Sequence, residues 1–226
     1  MRITYYGHSC FGISSSGNDL LFDPFISPNE LAKEINVDDI ACDYMFISHG
    51  HEDHIADAEQ IANRTKAAIV SNYEIVSWFA EKGLTNGHPL NHGGSKKLDF
   101  GKAKYVTAVH SSALPDGSYG GNPGGFVLNM EGKTLYYAGD TALTMDMKLI
   151  GEYSTPDLAF LPIGDNFTMG IEDAVIASKF IQCNKIIGMH YDSFTPITIN
   201  HEEAIAAFKT AGKELVLMNI GSSLEL

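Results

Sequence analysis

The stretch Asp43-Tyr-Met-Phe-Ile-Ser-His49-Gly-His51-Glu-Asp53-His54 decides the reading of this chain. Its first five residues are a compact, largely apolar run that suits a fully buried strand. The strand passes directly into three histidines and an aspartate within six residues. Neutral imidazoles are good ligands for zinc and similar borderline ions, and a carboxylate adds charge compensation. His49 and His51 alternate in an extended loop and point the same way. Asp53 and His54, where the loop turns into a helix, face a second ion close by. The alternatives are a His-rich surface loop or an affinity tag. A tag would be terminal and uniform, and a surface loop would not follow a buried strand so abruptly.

Four ligands cannot complete two sites, so further ones are expected at the C-terminal ends of other strands. His110 ends the predicted strand Lys104–Val109, Asp140 follows Thr134–Ala138, and His190 ends Lys185–Met189. Singly, each also reads as a plain polar residue at a strand end. Together with the cluster they form one constellation.

Short apolar runs alternate with helical patterns on both sides of it. Ile3–Tyr6, Cys10–Ser14 and Leu20–Asp23 read as antiparallel strands, and Ala68–Ser71 and Phe126–Met130 as further ones. A hairpin at Glu131-Gly132 joins Phe126–Met130 to Thr134–Ala138. Asp157–Pro162 and Glu214–Asn219 complete the strand set. Helices are expected at Ile55–Thr65, Asn72–Lys82, Ala142–Glu152, Glu172–Gln182 and His201–Ala211, with Asn72 as a cap and Gly83 as a stop. Strands followed by βα units, twice over, suggest two related halves in one domain spanning 1–226. Two facing sheets with helices outside is the layered arrangement this favours.

Composition narrows the partners. The 226 residues carry 15 Lys+Arg against 28 Asp+Glu, a formal charge of −13, with 44% apolar residues and only 19% charged. A disordered chain would be less apolar and more densely charged. Only two arginines are present and the lysines are scattered, so no basic face is available for nucleic acid or an anionic membrane surface. Cys10, Cys42 and Cys183 are an odd number without C-x-x-C spacing, which fits reduced thiols in a cytoplasmic protein. No signal-like segment opens the sequence, and no apolar run approaches ~18 residues.

His49-x-His51-x-Asp53-His54, then His110, Asp140 and His190 in that order, resemble the motifs of the metallo-β-lactamase-fold hydrolases over nearly the whole chain. The resemblance implies an α/β (α+β) fold, a four-layer αββα sandwich with the site in the cleft between sheet edges. Tyr-Tyr-Gly-His8-Ser and Pro162-Ile-Gly-Asp-Asn-Phe-Thr-Met-Gly170 are similar to a narrower group of small bacterial metal-dependent hydrolases. That group includes the ascorbate-6-phosphate lactonase subfamily. It further implies two divalent ions, zinc or manganese. His49, His51 and His110 would hold the first, Asp53, His54 and His190 the second, and Asp140 would bridge both. The expected activity is hydrolysis of a small-molecule ester, lactone or phosphoester by a metal-bridging hydroxide, with Asp53 and His8 as catalytic side chains.

The chain lacks the basic exosites of RNA-processing relatives, and it has His51 where flavo-diiron oxidoreductases carry Glu. A mononuclear iron thiol or persulfide dioxygenase is the alternative activity. A non-catalytic metal-binding fold is a third reading, although such copies tend to lose ligands. Asp23 either orients a ligand histidine through its ring N–H or caps the turn before Pro24. Asp165, Thr168 and Met169 either line the substrate pocket or start the following helix. Ser111–Gly125 reads as a lid or as a plain loop. His88, His92 and His201 read as surface or capping residues.

Overall fold

Two kinds of strand, alternating and wholly buried, occur in each of the two sheets. The computed structural model describes residues 1–226. β1 (Arg2–Gly7), β2 (Cys10–Ser15) and β3 (Asn18–Phe22) form an antiparallel meander. β4 (Tyr44–Phe46), β5 (Ala68–Asn72) and β6 (Gly87–Leu90) extend it in parallel, linked by α1 (Glu52–Ile55), α2 (Ala58–Thr65) and α3 (Tyr73–Glu81).

The second sheet repeats that logic. β7 (Ser95–Leu98), β8 (Gly101–Thr107), β9 (Gly124–Met130) and β10 (Lys133–Tyr137) run antiparallel. β11 (Leu158–Pro162), β12 (Lys185–Met189) and β13 (Glu214–Val216) follow in parallel, connected by α4 (Asp146–Tyr153), α5 (Ile171–Phe180) and α6 (His201–Thr210). β14 (Ser223–Glu225) then returns to the edge of β1, so each sheet has seven strands. Every residue of β5 and β11 is buried, as parallel strands covered on both faces must be.

The larger apolar cluster, 40 buried residues, fills the space between the sheets and extends under α4–α6. Aromatic contacts cross the gap: Phe11 meets Phe160 at 4.8 Å, Phe46 meets Phe126 at 5.0 Å, and Phe22 meets Tyr137 at 4.8 Å between centroids. A second cluster of 19 residues, including Met45, Ile61, Ile75 and Phe79, seals α1–α3 onto the other face of the first sheet. The four layers are therefore helix, sheet, sheet, helix. No helix is long and apolar enough to cross a membrane.

Several elements differ from the sequence reading, each for a local reason. The helix expected over Ile55–Thr65 breaks at Ala56-Asp57. There the Asp57 carboxylate accepts the N–H groups of Ile26 and Ser27 at 2.6 and 3.0 Å. The helix expected from Ala142 starts at Asp146, because the N–H of Ala142 donates to the carbonyl of Val109 at 3.0 Å. The last long strand stops at Val216. β6, β7 and β14 are short and carry Pro89, paired lysines or few apolar residues, the usual make-up of edge strands and a weak sequence signal.

Candidate metal centre

The parallel strands deliver the chemistry to one rim. Ser48–His54 follow β4, Asp140 follows β10, and His190 follows β12. The crevice beyond the carboxyl ends of strands is where open α/β sheets bind ligands. His110 lies three residues beyond β8, which ends at Thr107 rather than at Val109. A tie holds it in place: the N–H of Val109 donates to Thr141 Oγ1 at 3.0 Å, one residue past Asp140. Gly139 makes the approach of Asp140 feasible. Its φ is +63°, and a Cβ there would stand 2.7 Å from Ser48 Cβ.

All seven expected ligand residues converge. The ring nitrogens of His49, His51 and His110 form one group with ligand atoms within 4.8 Å of one another; His8, Asp53, His54 and His190 form another. Asp140 stands between the groups. Its Oδ2 is 4.0 Å from His49 Nε2, 3.4 Å from His54 Nε2, 3.6 Å from His110 Nε2 and 2.9 Å from His190 Nε2. Asp53 Oδ2 lies 3.9 Å from both His54 Nε2 and His190 Nε2 and 3.2 Å from His8 Nε2. His49, His54, Asp140 and His190 are buried, while His51, Asp53 and His110 are half-buried and form the open side.

Asp23, fully buried, organises the inner wall. Its carboxylate accepts Ser48 N–H at 2.7 Å, Ser48 Oγ–H at 2.6 Å and Tyr137 O–H at 2.7 Å, and faces His54 Nδ1 at 2.9 Å. Because Ser48 Oγ donates to Asp23, it accepts from His49 Nδ1–H at 2.9 Å. One carboxylate thus sets the proton positions of two histidines and turns both Nε2 atoms inward. Ser48 and Tyr137 carry no sequence signal for this; their roles appear only when the strands are assembled.

Backbone strain concentrates here. His8, Asp23 and His190 all have left-handed φ values, +55°, +41° and +55°. Such conformations cost about 1 kcal/mol or more each and persist where the surroundings over-determine them.

The donor set fits divalent cations. His54 Nε2, Asp140 Oδ1 and His190 Nδ1 are buried without a hydrogen-bond partner. Orphaned buried polar atoms cost about 1–3 kcal/mol each, and a cation among the imidazole nitrogens and carboxylate oxygens would remove that cost for His54 Nε2 and Asp140 Oδ1.

Burial lowers the pKa of His49, His51 and His110, and it lowers His8 to about 4. Burial acts on His54 too, but Asp140, Asp53 and Asp23 outweigh it and push that ring well above the ordinary value. Burial would raise Asp140, yet His190 and His54 hold it well below the usual carboxylate range. Asp53 is lowered in the same way, with His54 and the hydrogen bond from His8 overcoming burial.

The remaining candidates divide. Met169 is 1% exposed and packs into the main core, so it does not offer a side chain to an open pocket. Asp165 is exposed and Thr168 half-exposed on the same turn, which the N–H of Met169 ties to the Thr141 carbonyl at 3.1 Å.

The segment Ser111–Gly125 is pinned rather than free. Ser112 Oγ accepts Gly50 N–H at 3.0 Å, Asn72 Nδ2 donates to the Gly120 carbonyl at 2.7 Å, and Trp78 Nε1 donates to Asp116 at 2.7 Å. Leu114 is buried. Such a segment makes a wall. His92 stacks on Tyr105, and its Nε2 donates to the Pro123 carbonyl at 2.8 Å. His201 meets Asp192 at 2.6 Å, and His88 sits in β6. None of the three reaches the cluster.

A two-sheet αββα sandwich with histidine–aspartate clusters at its strand ends defines a metallo-β-lactamase-fold metal-dependent hydrolase. The profile described as the beta-lactamase superfamily domain matches residues 2–190, and the chain belongs to that family. It is 56% identical, over the full length of both chains, to a "UPF0173 metal-dependent hydrolase" of Flavobacterium johnsoniae. It is 42% identical over the full length of both to the "UPF0173 metal-dependent hydrolase YtkL" of Bacillus subtilis. Among solved structures it is similar to Igni18, a metallo hydrolase from the archaeon Ignicoccus hospitalis. That match has a TM-score of 0.89 and 36% identity, covering 100% of this chain and 98% of the other.

Proposed function

We propose that this protein is a dinuclear hydrolase of a small, uncharged ester or lactone, a single domain of two related halves working in the cytoplasm. The observation that carries the reading is Asp140, whose Oδ2 lies within 4.0 Å of four imidazole nitrogens drawn from both clusters. His49, His51 and His110 would hold one ion, Asp53, His54 and His190 the other, with Asp140 between. The nitrogen-rich first cluster suits zinc, and manganese is the alternative where supply favours it. Two such ions, when bound, would supply a hydroxide at neutral pH and polarise a carbonyl oxygen.

The side chains set the rest. Asp140 would lend its carboxylate to both ions and offset their charge. Asp23 fixes the inward-facing nitrogens of His49 and His54, directly and through Ser48. His8, buried and with its pKa lowered to about 4, would steady the Asp53 carboxylate through Nε2–H rather than pass a proton to a leaving group. Asp165 and Thr168 would contribute to the outer wall.

Substrate charge follows from the surrounding loops. Residues 48–54, 108–123, 139–147, 163–172 and 190–200 contain no lysine or arginine. A phosphate handle outside the reacting centre, as in a sugar-phosphate lactone, would find no basic side chain among them. This favours neutral esters and lactones over phosphoesters.

The test is a panel of aryl esters, lactones, thioesters, phosphodiesters and β-lactams with zinc- and manganese-loaded protein. We expect turnover of neutral esters or lactones, lost on stripping with EDTA and restored by zinc. Turnover that survives stripping overturns the reading. One iron per chain with oxygen uptake on a persulfide establishes the dioxygenase alternative instead.

A further inference from the structure

Ser193 belongs to no motif and coordinates nothing, yet its hydroxyl is 2.5 Å from His8 Nδ1. The other ring nitrogen of His8 is 3.2 Å from Asp53 Oδ2. A carboxylate only accepts, so His8 Nε2 carries the proton and Nδ1 is bare. The Ser193 hydroxyl therefore donates to Nδ1. Serine and aspartate clamp the ring from opposite ends.

The loop carrying Ser193 is built to hold it there. Asp192, at φ +63°, accepts Ile199 N–H at 3.0 Å through Oδ1 and meets His201 Nε2 at 2.6 Å through Oδ2. Its own N–H donates to the Ile197 carbonyl at 2.9 Å, and the N–H of Ser193 donates to the Tyr191 carbonyl at 2.8 Å. The turn of His8 is tied to the same loop, because His190 N–H donates to the His8 carbonyl at 2.9 Å. The His8 ring is 1% exposed, with its centroid 4.2 Å from the His190 ring and 5.4 Å from those of His54, Phe25 and Phe194. With Ser193 removed, a buried Nδ1 loses its partner and the ring loses one of its two clamps.

We infer that Ser193 is a positioning residue that acts through His8 to hold the Asp53 carboxylate in the rotamer facing His54 and His190. It is the outer end of a Ser193–His8–Asp53 line leading from a half-exposed hydroxyl to the second cluster. The inference rests on the two-ion reading only for its effect on metal affinity. The hydrogen bond itself is read without metal or substrate.

The experiment uses the full chain as wild type, S193A, S193T, H8A and the double variant H8A/S193A. Zinc titration followed by calorimetry reads the two affinities. Loss of an outer partner typically weakens metal binding about 10- to 100-fold. We expect S193A to weaken the second site about tenfold and leave the first unchanged, and S193T, which keeps the hydroxyl, to restore it. In the H8A background S193A should cost nothing further, because its effect runs through that ring. In 15N spectra of metal-free protein, the His8 Nδ1 resonance should move toward its unbonded position in S193A and stay in place in S193T.

An unchanged Nδ1 resonance overturns the inference. So does an equal loss from S193A with or without His8, or a zinc-loaded protein in which a His8 nitrogen binds the ion. A wild-type chain that takes up only one ion overturns the two-ion reading, and the role of Ser193 in it, while the ring resonance still decides the hydrogen bond.

Discussion

The two histidine clusters meet at Asp140 but hold their protons differently. In His49, His51 and His110 burial dominates and keeps the rings neutral, with Asp140 Oδ2 standing 3.6–4.0 Å from His110 and His49. In the other cluster His54 is just as buried, but Asp140, Asp53 and Asp23 surround it and push its pKa well above the ordinary value. The number of carboxylates within reach, rather than the number of histidines, separates the two. The first cluster offers an ion bare nitrogens. The second surrounds His54 with carboxylates that favour its protonated form, so a proton competes with an ion there.

Removing the shared carboxylate tests this hardest. In D140A both clusters lose the atom they have in common, so metal content should fall from two ions per chain to one or none. Turnover should drop by more than the about 100-fold usual for an outer partner. The circular dichroism spectrum should be unchanged, because Asp140 sits at a strand end and its loss opens no apolar cavity. A D140A protein with two ions and full turnover would falsify the shared-carboxylate reading.

Acidity should pull the clusters apart. The lowered rings of His49, His51 and His110 are largely unprotonated from about pH 7 to about pH 8, above the ordinary histidine value, so protons compete little for them there. The raised ring of His54 favours its proton there and has to give it up when an ion binds. Affinity of the second site should therefore rise about tenfold per pH unit, while the first changes little. Zinc titrations at the two ends of that range read it directly. Parallel slopes for both sites would remove the distinction.

Asp23 is the exception to the separation, since it reaches His54 directly and His49 through Ser48. D23N places an amide N–H among donors that all need an acceptor. Both sites should weaken by about 10- to 100-fold together. A loss confined to one site would show that the wiring through Ser48 carries no energy.

What could be read from the chain follows the same division. The seven converging side chains were legible because such spacing is encoded locally, at the ends of apolar runs. His49, His51, Asp53 and His54 needed one loop, and His110, Asp140 and His190 needed only the rule that strand ends face the site. Ser48, Tyr137 and Ser193 were not legible, because each acts through a neighbour supplied by a distant strand or loop. Met169 misled for the opposite reason: it sits in a motif-like turn, but its thioether packs inward. The edge strands β6, β7 and β14 escaped notice because what defines them is a partner strand, not a run of apolar residues.

The smallest effect separates site histidines from structural ones. His92 and His88 are both half-buried and both outside the clusters, yet their surroundings differ. His92 lies flat on Tyr105, with 5.0 Å between ring centroids and 13° between planes, and its Nε2–H donates to the Pro123 carbonyl. Tyr105 in turn donates its hydroxyl to the Ser48 carbonyl at 2.9 Å, next to His49. H92A loses one hydrogen bond and one stacked contact, about 1 kcal/mol, which lowers Tm by roughly 2–4 °C in a chain of this size. Metal content and turnover should stay within about twofold of wild type, because no ligand nitrogen is touched and Tyr105 keeps its bond to Ser48. H88A, on the edge strand with no side-chain partner, should change neither. If H92A instead empties a metal site, the packing behind Ser48 belongs to the first cluster, and the boundary between wall and ligand set moves outward to include it.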